Sequence, residues 1–273
     1  MALKFCSIAS GSSGNCYLVK SENNAVLVDA GIAGNRIIDR LAQRDITLAD
    51  IDGIFITHEH VDHVKSLRKI SKGAVNAPVY GSTGTLEAVS DKVQPEKAVR
   101  IAGGQEIQVG DITVIPFSLS HDAAEPLGYS IKADSRQLTI ITDTGYISDE
   151  ILDHARTADA LILEANHEVN ILNMGSYPYS LKRRILGDMG HLSNEAAGEC
   201  LCSVLKSRCS DENDGRKKEE LKVALAHLSK ENNTPQQAFL TIRNMLFEED
   251  YYIDKDIRIC IIPRDDVSPY MVV

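Results

Sequence analysis

Along most of this chain short apolar runs alternate with polar punctuation, the pattern of strands, and helical spacing appears between them. Residues 3–8, 16–20 and 25–29 read as three β-rich runs divided by turn residues. Ile37, Ile38 and Leu41 then give helical spacing. Gly53-Ile54-Phe55-Ile56 reads as a buried strand. Val64, Leu67 and Ile70 predict a helix, with Lys65, Arg68, Lys69 and Lys72 on its solvated sides, and residues 83–89 predict another. Residues 99–143 are mainly β, with strands at 105–109, 111–117, 127–133 and 137–142.

The second half repeats the strand-then-helix order. Ser148-Asp149-Glu150 caps a helix, a hydroxyl followed by acids in the positive first turn. Residues 160–164 form a strand that runs into Asn166-His167-Glu168, and residues 177–188 are helical. Ser193 is the N-cap of a further helix, and residues 206–220 are a charged, exposed loop. Residues 222–226 deliver His227, Thr234-Pro235-Gln236-Gln237 is a capping box with Pro at the first helical position, and residues 256–262 are the last strand. Strands dominate each half and ligand-type residues recur at their ends. The expected architecture is α+β, two packed sheets with helices outside and a site along the shared sheet edge.

Composition narrows this picture only a little. A chain of 273 residues allows one large domain or two small ones, and no linker clearly divides it, so a single domain over residues 1–273 is expected. A net charge of −10 argues against a general polyanion-binding surface. No apolar run approaches the roughly 20 residues of a membrane span. The start MALKFCSIASGSSGN is broken too early by Ser and Gly for a signal-peptide core. The six cysteines form no CxxC pair, and most lie in apolar contexts, so they are expected to be buried thiols of a reducing cytoplasm. Cys200 and Cys202 are two apart on a predicted helix and do not share a face.

The chemistry concentrates in Thr57-His58-Glu59-His60-Val61-Asp62-His63. A strand stopping into a turn lets His58 and His60 lean one way while Asp62 and His63, at a helix start, lean the other. Two ligand pairs on either side of a turn suit two adjacent ions. Imidazole and carboxylate fit Zn, and also Mn or Fe. Ser10-Gly11-Ser12-Ser13-Gly14-Asn15 is either a plain turn or, through its small residues, a place where backbone N–H groups approach a phosphate; Ser12, Ser13 and Asn15 are candidate substrate contacts on the second reading.

HEHVDH, a later SLSHD, a later TDTG and a last AHLS resemble the metallo-β-lactamase superfamily of metallo-hydrolases, over nearly the whole chain and in the right order. Within it SGSSGN, EANHE, YPYSLKRRILGDMGHLSNEAAGE and AHLSKENNTP are similar to the YycJ group, also called WalJ or VicX, whose site is like that of ribonucleases Z and J. The resemblance implies a four-layer αββα sandwich. It implies two divalent ions, His58, His60 and His121 on one, Asp62, His63 and His227 on the other, Asp143 bridging. Asp62 is also carried as a catalytic residue. A Gly-His motif and a strand-end Glu imply that His191, oriented by Glu164, stabilises the phosphate or protonates the departing oxygen. Read alone, His121 and His227 are also compatible with satisfied strand-end histidines, Asp143 with a turn-forming Asx residue, and His191 with a helix-capping or packing role.

The group implies a DNA 5′→3′ exonuclease acting through a metal-bridging hydroxide, with DNA 5′ ends as partner. Fewer than a hundred residues separate Asp143 from His227, so the β-CASP insertion of ribonuclease J is absent, as is a Gly-rich arm for transfer RNA. No Cys stands in a ligand motif, which leans toward phosphodiesters. The alternatives are a small-molecule hydrolase, either a cyclic phosphodiesterase or a glyoxalase II-like thioesterase, and a regulatory binding protein that turns nothing over. Lys182, Arg183 and Arg184 are a solvated helix face or phosphate contacts, the latter favoured slightly because the chain is otherwise acidic. His167 lines the pocket or lies on the surface, and His154 is inert.

Overall fold

The computed structural model describes residues 3–210 and 220–273. These form two compact units. One comprises residues up to Ser118, Ala123–Gln137 and Pro263–Val273; the other comprises Leu119–Asp122 and Leu138–Ile262.

The first unit opens with β1 (Lys4–Ala9), β2 (Cys16–Lys20) and β3 (Ala25–Val28), then α1 (Gly34–Ala42), β4 (Gly53–Phe55), α2 (Val61–Val64) and α3 (Leu67–Gly73). It continues through β5 (Val79–Gly81), α4 (Thr83–Ala88), β6 (Ala98–Arg100), β7 (Ile107–Val109), β8 (Ile112–Ser118) and β9 (Leu127–Ala133). Antiparallel pairing of β1 with β2 and β2 with β3 gives way to parallel pairing from β3 through β6. Residues Ala25 to Val28 are buried throughout, as a strand covered on both faces requires. The core joins Leu18, Leu27, Ile54 and Ile56 to Ile37, Leu41, Leu67 and Ile70 of the helices.

The second unit is built on parallel strands β10 (Arg136–Ile141), β11 (Ala160–Glu164), β12 (Leu221–Ala226) and β13 (Ile257–Ile261). Helices α5 (Asp149–Arg156), α6 (Val169–Met174), α7 (Tyr179–Ile185), α8 (Asn194–Ser210) and α9 (Pro235–Glu248) lie between them in the chain. Ser148 accepts from the Ile151 N–H and Ser193 from the Ala196 N–H, so both predicted caps form. Thr234 accepts from Gln237, but the Gln237 amide turns to Thr241, so only half of the box closes.

Several expectations need correction. The predicted helix through Val64 and Ile70 is two helices, because Ser66 gives its N–H to the Ala30 carbonyl and breaks the run. The strands β5 and β14 (Met271–Val272) and the helix α6 were not anticipated; each is too short to show a period. So residues 256–262 are not the last strand: β14 returns to pair antiparallel with β1. Residues 206–210 of the predicted loop continue α8, and residues 211–219 lie outside the described residues. All six cysteines are free, but only Cys6, Cys16 and Cys200 are buried; Cys260 is exposed because alternate residues of β13 turn outward. Among the described residues no helix is long and apolar enough to cross a membrane.

Candidate metal centre and catalytic residues

In the first unit the metal turn leaves β4 and is braced by the end of β3. Asp29 follows β3 with φ +65° and is fully buried. Its carboxylate accepts the Thr57 N–H at 2.9 Å and the Thr57 hydroxyl at 2.9 Å. The same group stands 2.7 Å from His63 Nδ1. A carboxylate there fixes the tautomer with its proton on Nδ1 and leaves the lone pair on Nε2, which faces the Asn15 side-chain amide at 3.2 Å. Burial pushes the Asp29 carboxyl up, against the His63 and Thr57 donors that face it.

His58 packs its ring 4.6 Å from that of His60 and 4.0 Å from that of His63, so it neighbours both. Asp62 Oδ2 lies 3.6 Å from His63 Nε2. Backbone bonds lock the turn: Asn15 N–H to Asp62 O at 2.8 Å, Gly31 N–H to Asn15 O at 2.8 Å, Ala30 N–H to His63 O at 2.7 Å. Gly31 is obligatory here, since a Cβ on it would stand 1.6 Å from the Asp62 carbonyl oxygen. Asn15 is buried, tied to Gly11 and 3.2 Å from His63 Nε2, while Ser12 and Ser13 are exposed.

The second unit gathers its functional residues at the ends of its strands. Glu164 closes β11 fully buried. Its Oε1 lies 2.8 Å from His191 Nδ1 and 3.0 Å from His227 Nδ1, and its Oε2 accepts the N–H groups of Thr144 and Leu192. Burial alone would raise this carboxyl, but the two imidazoles on it hold it well below the usual carboxylate range. Burial alone would depress His191, and the Glu164 charge overrides that, so the imidazole is raised. Asp143 Oδ1 lies 3.4 Å from His227 Nε2 and 3.5 Å from His191 Nδ1. His121, lowered by burial, points Nδ1 at the Gly190 carbonyl at 2.9 Å, and its ring is 5.0 Å from that of His191.

Asp29, Asp143 (φ +62°) and His227 (φ +54°) are all buried in the left-handed region just past a strand. The other non-glycine residues with positive φ, Asp45, Asp134, Asp250 and Asp254, sit in exposed turns where the conformation is commonplace. Strain of about 1–3 kcal/mol per residue persists where packing over-determines it, characteristically at functional sites.

The remaining candidates are placed less uniformly. His167 is buried, and neither ring nitrogen meets a partner among the described residues; burial lowers it to about 4, so it is neutral at pH 7. Lys182 donates to the Asn173 and Gly175 carbonyls, closing the end of α6. Arg184 pairs with Asp122 through two nitrogens, and Arg183 is exposed. Asp29 was given no role from sequence, and Thr57 and Gly190 stood inside named motifs without one; for Asp29 the available signal was an acid ending a strand before Ala30-Gly31.

The donor set fits divalent ions. His63, His191 and His227 each set Nδ1 against a buried carboxylate and His121 sets its own against a carbonyl, the support that orients imidazoles toward a metal. Within the second unit, Asp143, Glu164, His191 and His227 each place one donor atom within 4.8 Å of the others.

A model of the β-lactamase superfamily domain matches residues 24–209. The chain belongs to the metallo-β-lactamase superfamily. This metallo-β-lactamase-fold chain is a metal-dependent hydrolase with two mixed sheets flanked by helices. It is 36% identical over 254 residues to the exodeoxyribonuclease YycJ of Bacillus anthracis, covering 92% of each chain. It is 35% identical over 274 residues to the exodeoxyribonuclease WalJ of Streptococcus pneumoniae serotype 2, covering 98% of this chain and 97% of that one. Within the superfamily it therefore stands with the YycJ/WalJ group. The metallo-β-lactamase fold protein YhfI of Bacillus subtilis superposes with a TM-score of 0.71 at 17% identity, over 98% of this chain and 99% of that one, a likeness of fold alone.

Proposed function

We propose that this metallo-hydrolase is a DNA exonuclease that cleaves phosphodiester bonds from 5′ ends. The observation that carries the reading is the 36% identity to an exodeoxyribonuclease along 92% of both chains. The ligands in this reading are His58, His60 and His121 for one ion, Asp62, His63 and His227 for the second, and Asp143 for both. Zn and Mn suit the imidazole and carboxylate donors, and Fe is compatible. Divalent cations held there would lower the pKa of bound water and offset charge on the phosphoryl oxygens.

The chain's own contribution is proton handling and orientation. A protonated His191 keeps Nδ1–H on Glu164 and presents Nε2–H outward. That proton goes to the sugar oxygen as its bond to phosphorus breaks, while a water oxygen joins phosphorus and its displaced proton passes to solvent water. Glu164 stabilises the imidazolium and holds His227 with its other contact, so one carboxylate sets two rings. The exposed serines Ser12 and Ser13 offer a small-residue turn to a phosphate. DNA is the partner, and the free cysteines suit a reducing cytoplasm.

The test is a panel of 5′-labelled duplex DNA, single-stranded DNA, RNA and bis-p-nitrophenyl phosphate, offered to protein loaded with Zn or Mn. Stepwise release of nucleotides from DNA 5′ ends is expected. Turnover of the small ester alone, or of nothing, overturns the reading. His191→Ala is expected to lower kcat on DNA about 10²- to 10⁴-fold, and full kcat would remove its acid role.

A further inference from the structure

The α6–α7 segment of the second unit exposes apolar surface that no neighbour among the described residues covers. Met174 is 89% exposed, Tyr179 76%, Met189 54% and Leu186 43%. Tyr179 and Arg183 are spaced i, i+4 and so share one face of α7, Leu186 follows as its C-terminal cap, and Ile185 is buried. Four large apolar side chains exposed within sixteen residues, from the end of α6 to just past α7, make this segment a candidate binding surface.

The segment itself is rich in basic residues. Residues 174–190 carry Lys182, Arg183 and Arg184 against a single acid, Asp188, in a chain of net charge −10. Lys182 and Arg184 have internal partners, but Arg183 forms no ion pair among the described residues and lies on the face with Tyr179. The segment runs straight into the reactive cluster. The His191 N–H bonds the Ile185 carbonyl, and Gly145 packs its Cα on the Asp188 backbone, which brings the exposed Tyr146 beside the same turn.

An aromatic ring and a free guanidinium on one exposed face are the two elements of a sequence-tolerant platform for a single strand. We infer that α7 holds one nucleic-acid strand leading to the His191 cluster, with a base stacked on Tyr179 and a phosphate on Arg183. This rests on the nuclease reading above and supplies what holds the polymer.

Anisotropy of a 3′-labelled, phosphorothioate-linked oligothymidine on the metal-loaded protein tests it. Tyr179→Ala is expected to weaken binding about five-fold or more, and Tyr179→Phe, which keeps the ring, to bind as the parent does. Arg183→Ala is expected to flatten the salt dependence, its log–log slope falling by about 0.7. If the parent cleaves DNA yet both alanine variants bind as it does, the platform is wrong and the nuclease reading stands. If the parent neither binds nor cleaves any nucleic acid, the nuclease reading has failed and the platform goes with it. If Tyr179→Ala releases anionic phospholipid vesicles held by the parent but leaves oligonucleotide binding alone, the face serves a lipid surface and the inference is overturned.

Discussion

Asp29 and Glu164 perform one task in the two units. Each is buried at a strand end and accepts Nδ1 of a distant imidazole, so each decides which nitrogen carries the lone pair. Asp29→Asn keeps the shape and removes the charge. It is expected to weaken divalent-metal affinity about 10- to 100-fold. A competition titration with a metal-binding dye reads this directly; unchanged affinity would mean that Thr57 and the backbone suffice to orient His63. The same residue-level view explains the left-handed Asp143 and His227, whose strain is borne because packing and hydrogen bonds leave their strand ends no alternative.

Among the elements, the first unit turns on a close approach of backbones. The loop after β3 and the start of α2 meet at Gly31 and Asp62, with Asn15 bonded to both. Any side chain at residue 31 must push a carbonyl that has nowhere to go. Gly31→Ala is expected to cost about 3 kcal/mol or more, the range of severe core overpacking. Thr234→Ala, which removes only the cap of α9, is expected to cost about 1 kcal/mol. Thermal unfolding of the two variants side by side checks the order. A Gly31→Ala protein as stable as Thr234→Ala would show that the turn can relax.

For the whole molecule, ion binding and folding are linked. Ions that bind the folded chain stabilise it by mass action, about 2.7 kcal/mol at a hundred-fold excess over Kd. Stripping with a chelator is expected to lower Tm, and readding Zn or Mn to restore it. A chelator-treated protein that melts with the untreated one would show that the folded chain holds no ion. The acidic balance at −10 acts at this scale too: under the proposed nuclease reading it would leave nucleic-acid attraction to local sites such as the α7 face proposed above.

What the sequence determined by itself is whatever is written contiguously. The metal turn, the β11 and β9 strands, and the Ser148, Ser193 and Thr234 caps are local patterns whose physics acts over a few residues. Short elements such as β5, α6 and β14 show no period, and α8 runs on through charged residues that looked like loop, because helix packing outweighs local composition. Tertiary structure alone decided that Asp29 serves His63, that Glu164 is shared by His191 and His227, and that Lys182 and Arg184 are spent internally while Arg183 is not. A carboxylate's partner is set by where the chain returns, here 34 or 63 positions away, and no spacing along the sequence records that return.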